Sequence, residues 1–186
     1  MKDRLYRLEY AKTIADGVVD YLSEYCSKIE IAGSIRRKKQ LVGDIEIVCV
    51  PKREVIQRDM FSMHKDVLGM PLYDRVKHCD WIEPRRMNEK PQALGERYQA
   101  LRDVPTGVPI DLFIVLPPAQ WGVIMTLRTG SADFSSTLMR KARARNHRCE
   151  DGRLIDLKTG KVVITEEERD FFDVLNLAWI EPENRL

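Results

Sequence analysis

The stretch 43-GDIEIVCV-50 sets two carboxylates, Asp44 and Glu46, into a run that is otherwise Ile, Val and Cys. Side chains on a strand alternate between faces, so Asp44, Glu46, Val48 and Val50 share one face and Ile45, Ile47 and Cys49 the other. The two acids then stand about 7 Å apart at their Cα atoms by strand rise. A solvated antiparallel face alternates in the same way. Here, however, Val48 and Val50 continue the acid-bearing face as apolar groups, and a second strand, 110-IDLFIV-115, makes the same acid-then-hydrophobic step at Asp111. The pattern predicts three carboxylates converging where strands begin. Gathered acids repel one another, and their pKa values rise unless a cation neutralises them. Magnesium, hard and oxygen-seeking, is the natural cation for a few carboxylates plus substrate phosphates.

The loop before this strand, 33-GSIRRKKQLVG-43, reads as a polar loop or one helical turn bounded by glycines. Gly33 lets backbone N–H groups approach an anion, and Ser34 adds a hydroxyl donor. Arg36, Arg37, Lys38 and Lys39 follow at once, and a guanidinium binds phosphate bidentately. A solvated basic loop has the same composition, but beside a candidate metal site the phosphate reading gains.

Outward from this centre, Leu8, Ala11, Ile14, Ala15, Val18, Val19 and Leu22 are spaced as in an amphipathic helix over 5–26 that would cover a sheet. Residues 29–32 and 44–50 read as strands, as do 75–82, 98–104 and 110–116. Residues 55–68 read as a helix, and 83–96 as a polar stretch. Pro117-Pro118 marks a candidate boundary. Beyond it, helices are expected over 119–127, 134–146 and 166–175, with a hairpin within 149–164. The segment 139-MRKARARNHR-148 carries Arg140, Lys141, Arg143, Arg145 and Arg148, with no acid between Phe134 and Cys149. Leu138, Ala142 and Met139 are left for its core side, and the basic groups suit a nucleic-acid backbone.

Composition bounds the classes. The chain has 186 residues, is 44% hydrophobic and carries a net charge of +2 from 31 basic and 29 acidic residues, so bulk charge alone does not announce a nucleic-acid binder. Cys26, Cys49, Cys79 and Cys149 form neither a CxxC pair nor a ligand spacing, which points to reduced thiols in a cytoplasmic protein. His64, His78 and His147 stand isolated. The N-terminal stretch MKDRLYRLEY lacks an apolar signal core, and no apolar run approaches the roughly 18 residues of a membrane span.

Taken together, Gly33-Ser34-x-Arg36-Arg37, Gly43-Asp44-x-Glu46 and the later Asp111 resemble the active-site signature of the nucleotidyltransferase superfamily, specifically the family X DNA polymerases of the DNA polymerase beta type. The turn 129-TGSADF-134 resembles the family's Thr-Gly-Ser nucleotide-binding turn, and 165-TEEERDFFDVLNLAWIEPENR-185 resembles its closing segment. Residues 51–105 resemble nothing in it.

The resemblance implies an α+β fold. A nucleotidyltransferase palm, a mixed β-sheet packed by helices, would span residues 1–116, and a small helical and β-hairpin nucleotide-selecting subdomain would span 117–186. It would be a minimal form without the amino-terminal segment used for lyase chemistry. By position, Asp44, Glu46 and Asp111 would be the catalytic residues and would hold two Mg2+ ions, for which Mn2+ can substitute. Gly33, Ser34, Arg37 and Gly43 would hold the triphosphate, and Leu127, Arg128, Thr129 and Gly130 the sugar and base. Arg140, Lys141, Arg143 and Arg145 would contact DNA.

The implied activity is transfer of deoxynucleoside monophosphates from dNTPs to a primer 3′-hydroxyl, filling short gaps in DNA repair, by a monomer that takes no part in a membrane. Two features blur the substrate: Glu46 stands where the family carries Asp, and Leu127-Arg128 stands where it carries an aromatic pair. The alternatives are transfer to RNA, protein or a small molecule on the same fold, untemplated terminal transfer, or a non-catalytic DNA-binding module.

Overall fold

The computed structural model describes residues 4–57, 67–87 and 90–186. Its centre is a five-stranded mixed sheet of β1 (Cys26–Ile31), β2 (Ile45–Pro51), β3 (Ile82–Pro84), β4 (Tyr98–Asp103) and β5 (Pro109–Ile114), in the order β1-β2-β5-β4-β3. The pair β2/β5 is parallel, and the other three pairings are antiparallel. The fold is therefore α+β with a mixed sheet packed by helices, followed by C-terminal helices, as the sequence predicts.

The alternation in 44–50 divides two cores. Ile45, Ile47 and Cys49, with Ile110, Leu112 and Ile114, are buried against α1 (Leu8–Ser23), which presents Ala11, Ala15, Val18 and Leu22. The other face buries Val48, Phe113 and Val115 under Ala32, Trp121 and Met125. The last two lie four apart on α4 (Trp121–Thr129), whose Val123 belongs to a third core, formed with Leu138, Ala142, Leu154, Phe171, Phe172 and Leu175. A helix buried on both sides must be apolar nearly all round, and α4 is. Gly122 is required where α4 meets the chain after the C-terminal hairpin, because a Cβ there would overlap the Thr165 and Glu167 carbonyls.

The C-terminal region continues through α5 (Ala132–Ala144), a small antiparallel sheet of β6 (His147–Glu150), β7 (Arg153–Asp156) and β8 (Val162–Val163), and α6 (Glu168–Val174). Leu138 and Ala142 of α5 face the core as expected, but Met139 is exposed: one residue on from Leu138, it is rotated about 100° from the buried stripe.

Two further expectations fail. Residues 75–82 are not one strand. Pro71–Lys77 is helix α3, started by Pro71 at its first turn, with Leu72 and Val76 buried four apart, and strand structure begins only at Ile82. The helix expected over 55–68 is contradicted at both ends, where Glu54–Gln57 pairs antiparallel with Val67–Gly69. Its middle, with His64, lies outside the described residues. Among the described residues, no helix is long and apolar enough to cross a membrane.

Candidate active site

Asp44 immediately precedes β2, Glu46 is its second residue, and Asp111 is the third residue of β5. Parallel pairing places Asp111 directly beside Glu46 and Phe113 beside Val48, so the three carboxylates share one face. They act on one another. Burial, then Asp44 and Asp111, push the Glu46 carboxyl up to about 7 against the opposing pull of Arg128 and Arg37. Burial and Asp111 raise Asp44 too, opposed by Arg85 and Arg37. Such mutual elevation is what a bound cation relieves, so the donor set suits a divalent metal in kind.

As the side chains stand, no three such groups among the described residues converge closely enough to hold a metal ion. The reason is visible in what each acid touches. Glu46 lies against Gly33, whose φ of +60° and lack of a side chain are both needed there, because a Cβ would overlap the Glu46 carboxylate. Asp111 turns the other way along the sheet, toward β4 and the residue after β3. There Oδ1 accepts from the Tyr98 hydroxyl at 2.8 Å and forms an ion pair with Arg85. A cleft of about 500 Å³ opens beside them, lined by Glu46, Tyr98, Asp111, Phe113 and Arg128 among others. Along its wall Tyr98 stacks on Phe113 at 5.3 Å, and the Arg128 guanidinium lies 4.0 Å from the Phe113 ring centre.

The loop between β1 and β2 forms the helical turn α2 (Gly33–Arg36), closed by Arg36 N–H to the Ala32 carbonyl and Arg37 N–H to that of Gly33. Ser34 Oγ and Arg37 Nε are buried without partners. Buried donors are ordinarily satisfied, so two unpaired ones on this turn suit an anionic acceptor.

The same turn grips α4. Arg37 Nη1 donates to the Thr129 carbonyl at 2.6 Å, and Arg36 Nη1 to Thr129 Oγ1 at 2.7 Å. Arg36 Nη2 pairs at 2.6 Å with Glu168, which also accepts from the fully buried Arg185. Burial alone would raise the Glu168 carboxyl, but hydrogen bonds from Arg36 and Arg185 outweigh it and hold it below the usual carboxylate range.

The Thr-Gly-Ser turn has a local cause. Thr129 ends α4, and Gly130 has no room for a Cβ beside Phe134 and Ser135. Ser131 caps α5, its Oγ accepting from Phe134 N–H at 3.1 Å. The structure thus brings Gly33, Ser34, Arg37, Thr129 and Gly130 together. Gly43 precedes Asp44, and a Cβ there would face the Leu5 side chain.

Leu127 and Arg128 line a second groove of about 720 Å³, with Arg140, Arg143, His147 and Arg148. It carries no carboxylate. Lys141 and Arg145 do not line it, so the four basic residues expected to act together divide between two sides of α5. Arg128 borders both cavities.

Sequence reasoning missed Arg85, Tyr98, Phe113, Glu168 and Arg185. The alternation of 110-IDLFIV-115 already places Phe113 on the face of Asp111, whereas nothing in the spacing of the other four points to the site.

Residues 125–186, 62 of the 186, match the family model described as DNA polymerase beta thumb. No curated protein matches the chain. The matched third contains Thr129-Gly130, the basic α5 and the closing segment, and it supports polymerase-type contact with DNA; Asp44, Glu46 and Asp111 lie outside it.

Proposed function

We propose that the chain is a metal-dependent nucleotidyltransferase of the DNA polymerase type, adding deoxynucleotides to a primer 3′-hydroxyl with release of pyrophosphate, as in short-gap filling. The observation that carries this reading is the register that sets Asp111 beside Glu46 on the face of Asp44, with the unpaired donors of Ser34 and Arg37 close by. The match of residues 125–186 adds the expected DNA-contacting part. Residues 1–116 serve as palm and 117–186 as the nucleotide-selecting subdomain, in a monomer.

Asp44, Glu46 and Asp111 would hold the divalent cations, Mg2+ or Mn2+. When bound, these supply activation of the attacking hydroxyl and charge neutralisation on the phosphates. Ser34 and Arg37 receive the triphosphate, and the Arg37 and Arg36 bonds to Thr129 fix that loop against α4. Thr129-Gly130 lies along the sugar and base, and Arg128, Arg140 and Arg143 offer charge to a nucleic-acid strand. The primer oxygen attacks the α-phosphorus in line, the bond to the β-phosphate oxygen breaks, and the hydroxyl proton passes to the Asp111 carboxylate.

The test is incubation with Mg2+ or Mn2+, each dNTP, and gapped, recessed, single-stranded and RNA primers. Templated extension on gapped DNA, lost by at least about a thousandfold in Asp44→Asn, is expected. Untemplated or RNA extension favours the alternative acceptors, and no transfer to any acceptor overturns the reading.

A further inference from the structure

The third carboxylate of the face already has a cation. Arg85 follows β3 and is pinned through its backbone, its N–H donating to the Ala100 carbonyl at 2.8 Å and its own carbonyl accepting from Gln92 N–H at 2.8 Å. From there its side chain reaches across β4, where Nη2 donates to the Tyr98 hydroxyl at 2.8 Å and to Asp111 Oδ1. Tyr98 donates to that same oxygen. Among the described residues, Asp44 and Glu46 take part in no ion pair, so Asp111 is the member of the set with a cation in contact. Its Nε meanwhile is buried without a partner. A guanidinium carries five donors, and this one leaves a donor unsatisfied while two partners crowd Nη2.

We propose that Arg85 is a positioning residue that stands in for the metal, holding the Asp111 carboxylate toward Tyr98 until a divalent ion displaces it. The inference rests on the metal reading of the site given above. Two cations on one carboxylate at contact distance repel each other, so metal capture at Asp111 competes with the Arg85 contact. Asp111 must leave Arg85 before it can turn to Glu46, its neighbour across the parallel pair. Apparent metal affinity is therefore reduced by the fraction of molecules in which the contact is made. Arg85 is 30% exposed at its side chain, so the guanidinium has an exit toward solvent.

The experiment is Mn2+ titration of the full chain without nucleotide, reading free Mn2+ by its electron paramagnetic resonance signal. Arg85→Met is expected to bind Mn2+ about tenfold more tightly than the unmodified protein, the gain expected when a competing contact populated roughly nine-tenths of the time is removed. Arg85→Lys keeps the charge and is expected to stay within about threefold of the unmodified protein, because the competition is for charge. Arg97→Met controls for the general field. That cation lines the same cleft but donates to the Pro117 carbonyl, and its removal is expected to change affinity by less than about threefold at this distance.

Tyr98→Phe, which removes one of the two donors, is expected to shift affinity the same way by about two- to threefold, and it serves where Arg85→Met fails to fold. Equal affinity in Arg85→Met and the unmodified protein overturns the proposal while leaving the metal reading intact. An equal gain in Arg97→Met also overturns it. Absence of Mn2+ binding in every variant overturns both.

Discussion

Two glutamates, Glu46 and Glu168, are each withdrawn from water, yet they depart from the ordinary carboxylate range in opposite directions. Glu168 is held by two arginines, Arg36 and Arg185, and stays ionised. Glu46 faces two other acids, and the nearest guanidiniums, Arg128 and Arg37, act only from a distance. Glu168 is the more deeply buried of the two and yet is the one that stays ionised, so the compensating hydrogen bonds decide. The comparison separates a buried charge that fastens the chain together from one left uncompensated, and residual frustration of the second kind marks a site built for a ligand.

The largest way to break the comparison is to remove the fastening. In Glu168→Gln, Arg36 and Arg185 lose their counter-charge, and a loss of about 3–5 kcal/mol in denaturant unfolding at pH 7 is expected. Because the folded Glu168 pKa is depressed, its stabilisation is present above the unfolded value of 4.5 and fades as pH falls through the folded one. The deficit of the variant should therefore shrink in acid. A deficit that is constant with pH would mean that Glu168 acts through packing.

Glu46→Gln should do the reverse. The folded Glu46 pKa of about 7 lies above the unfolded 4.5, so the folded chain holds a proton that the unfolded chain has lost between those values. Stability falls as pH rises through that window and levels off above it. The variant is expected to be more stable than the unmodified protein at pH 8 by roughly 2–3 kcal/mol, with the difference vanishing below about pH 4.5. Chemical denaturation of both proteins at pH 4, 6 and 8 reads this directly, and an advantage that grew toward acid would contradict the assignment.

A smaller effect sharpens the link between the two regions. Thr129→Val deprives Arg36 of its hydroxyl acceptor but keeps the carbonyl used by Arg37, so a loss of about 1 kcal/mol is expected in the same assay. A loss several times larger would place Thr129 within the ionic fastening itself.

Much of the site could be read before any coordinates. The alternation of 44–50 assigned each side chain to its face, and the divided cores follow that assignment residue by residue. The stretch after Gly33 read as a loop or one helical turn from its local chemistry, whereas the turn at Thr129-Gly130-Ser131 was read from its resemblance to the family's. Where local chemistry was ambiguous, the reading failed. Residues 75–82 carry apolar groups at Val76, Cys79, Trp81 and Ile82 with no clear period, and Pro71 with the burial of Leu72 and Val76 on one side makes the first part the end of helix α3. Arg85 sits in a polar stretch beside Arg86 with nothing to distinguish the two; backbone pairing at the sheet edge sends one of them to Asp111.

The sequence by itself determined which groups share a face, because strand periodicity is a property of the backbone and needs no partner. It also supplied the acids, the donor groups that follow Gly33 and the basic helix. Tertiary structure alone decided the parallel register that puts Asp111 against Glu46, the arginines that hold Glu168, and the one that holds Asp111. These contacts join residues from 17 to 132 positions apart, and the partner of a charge at such separations is chosen by packing, which no local pattern encodes.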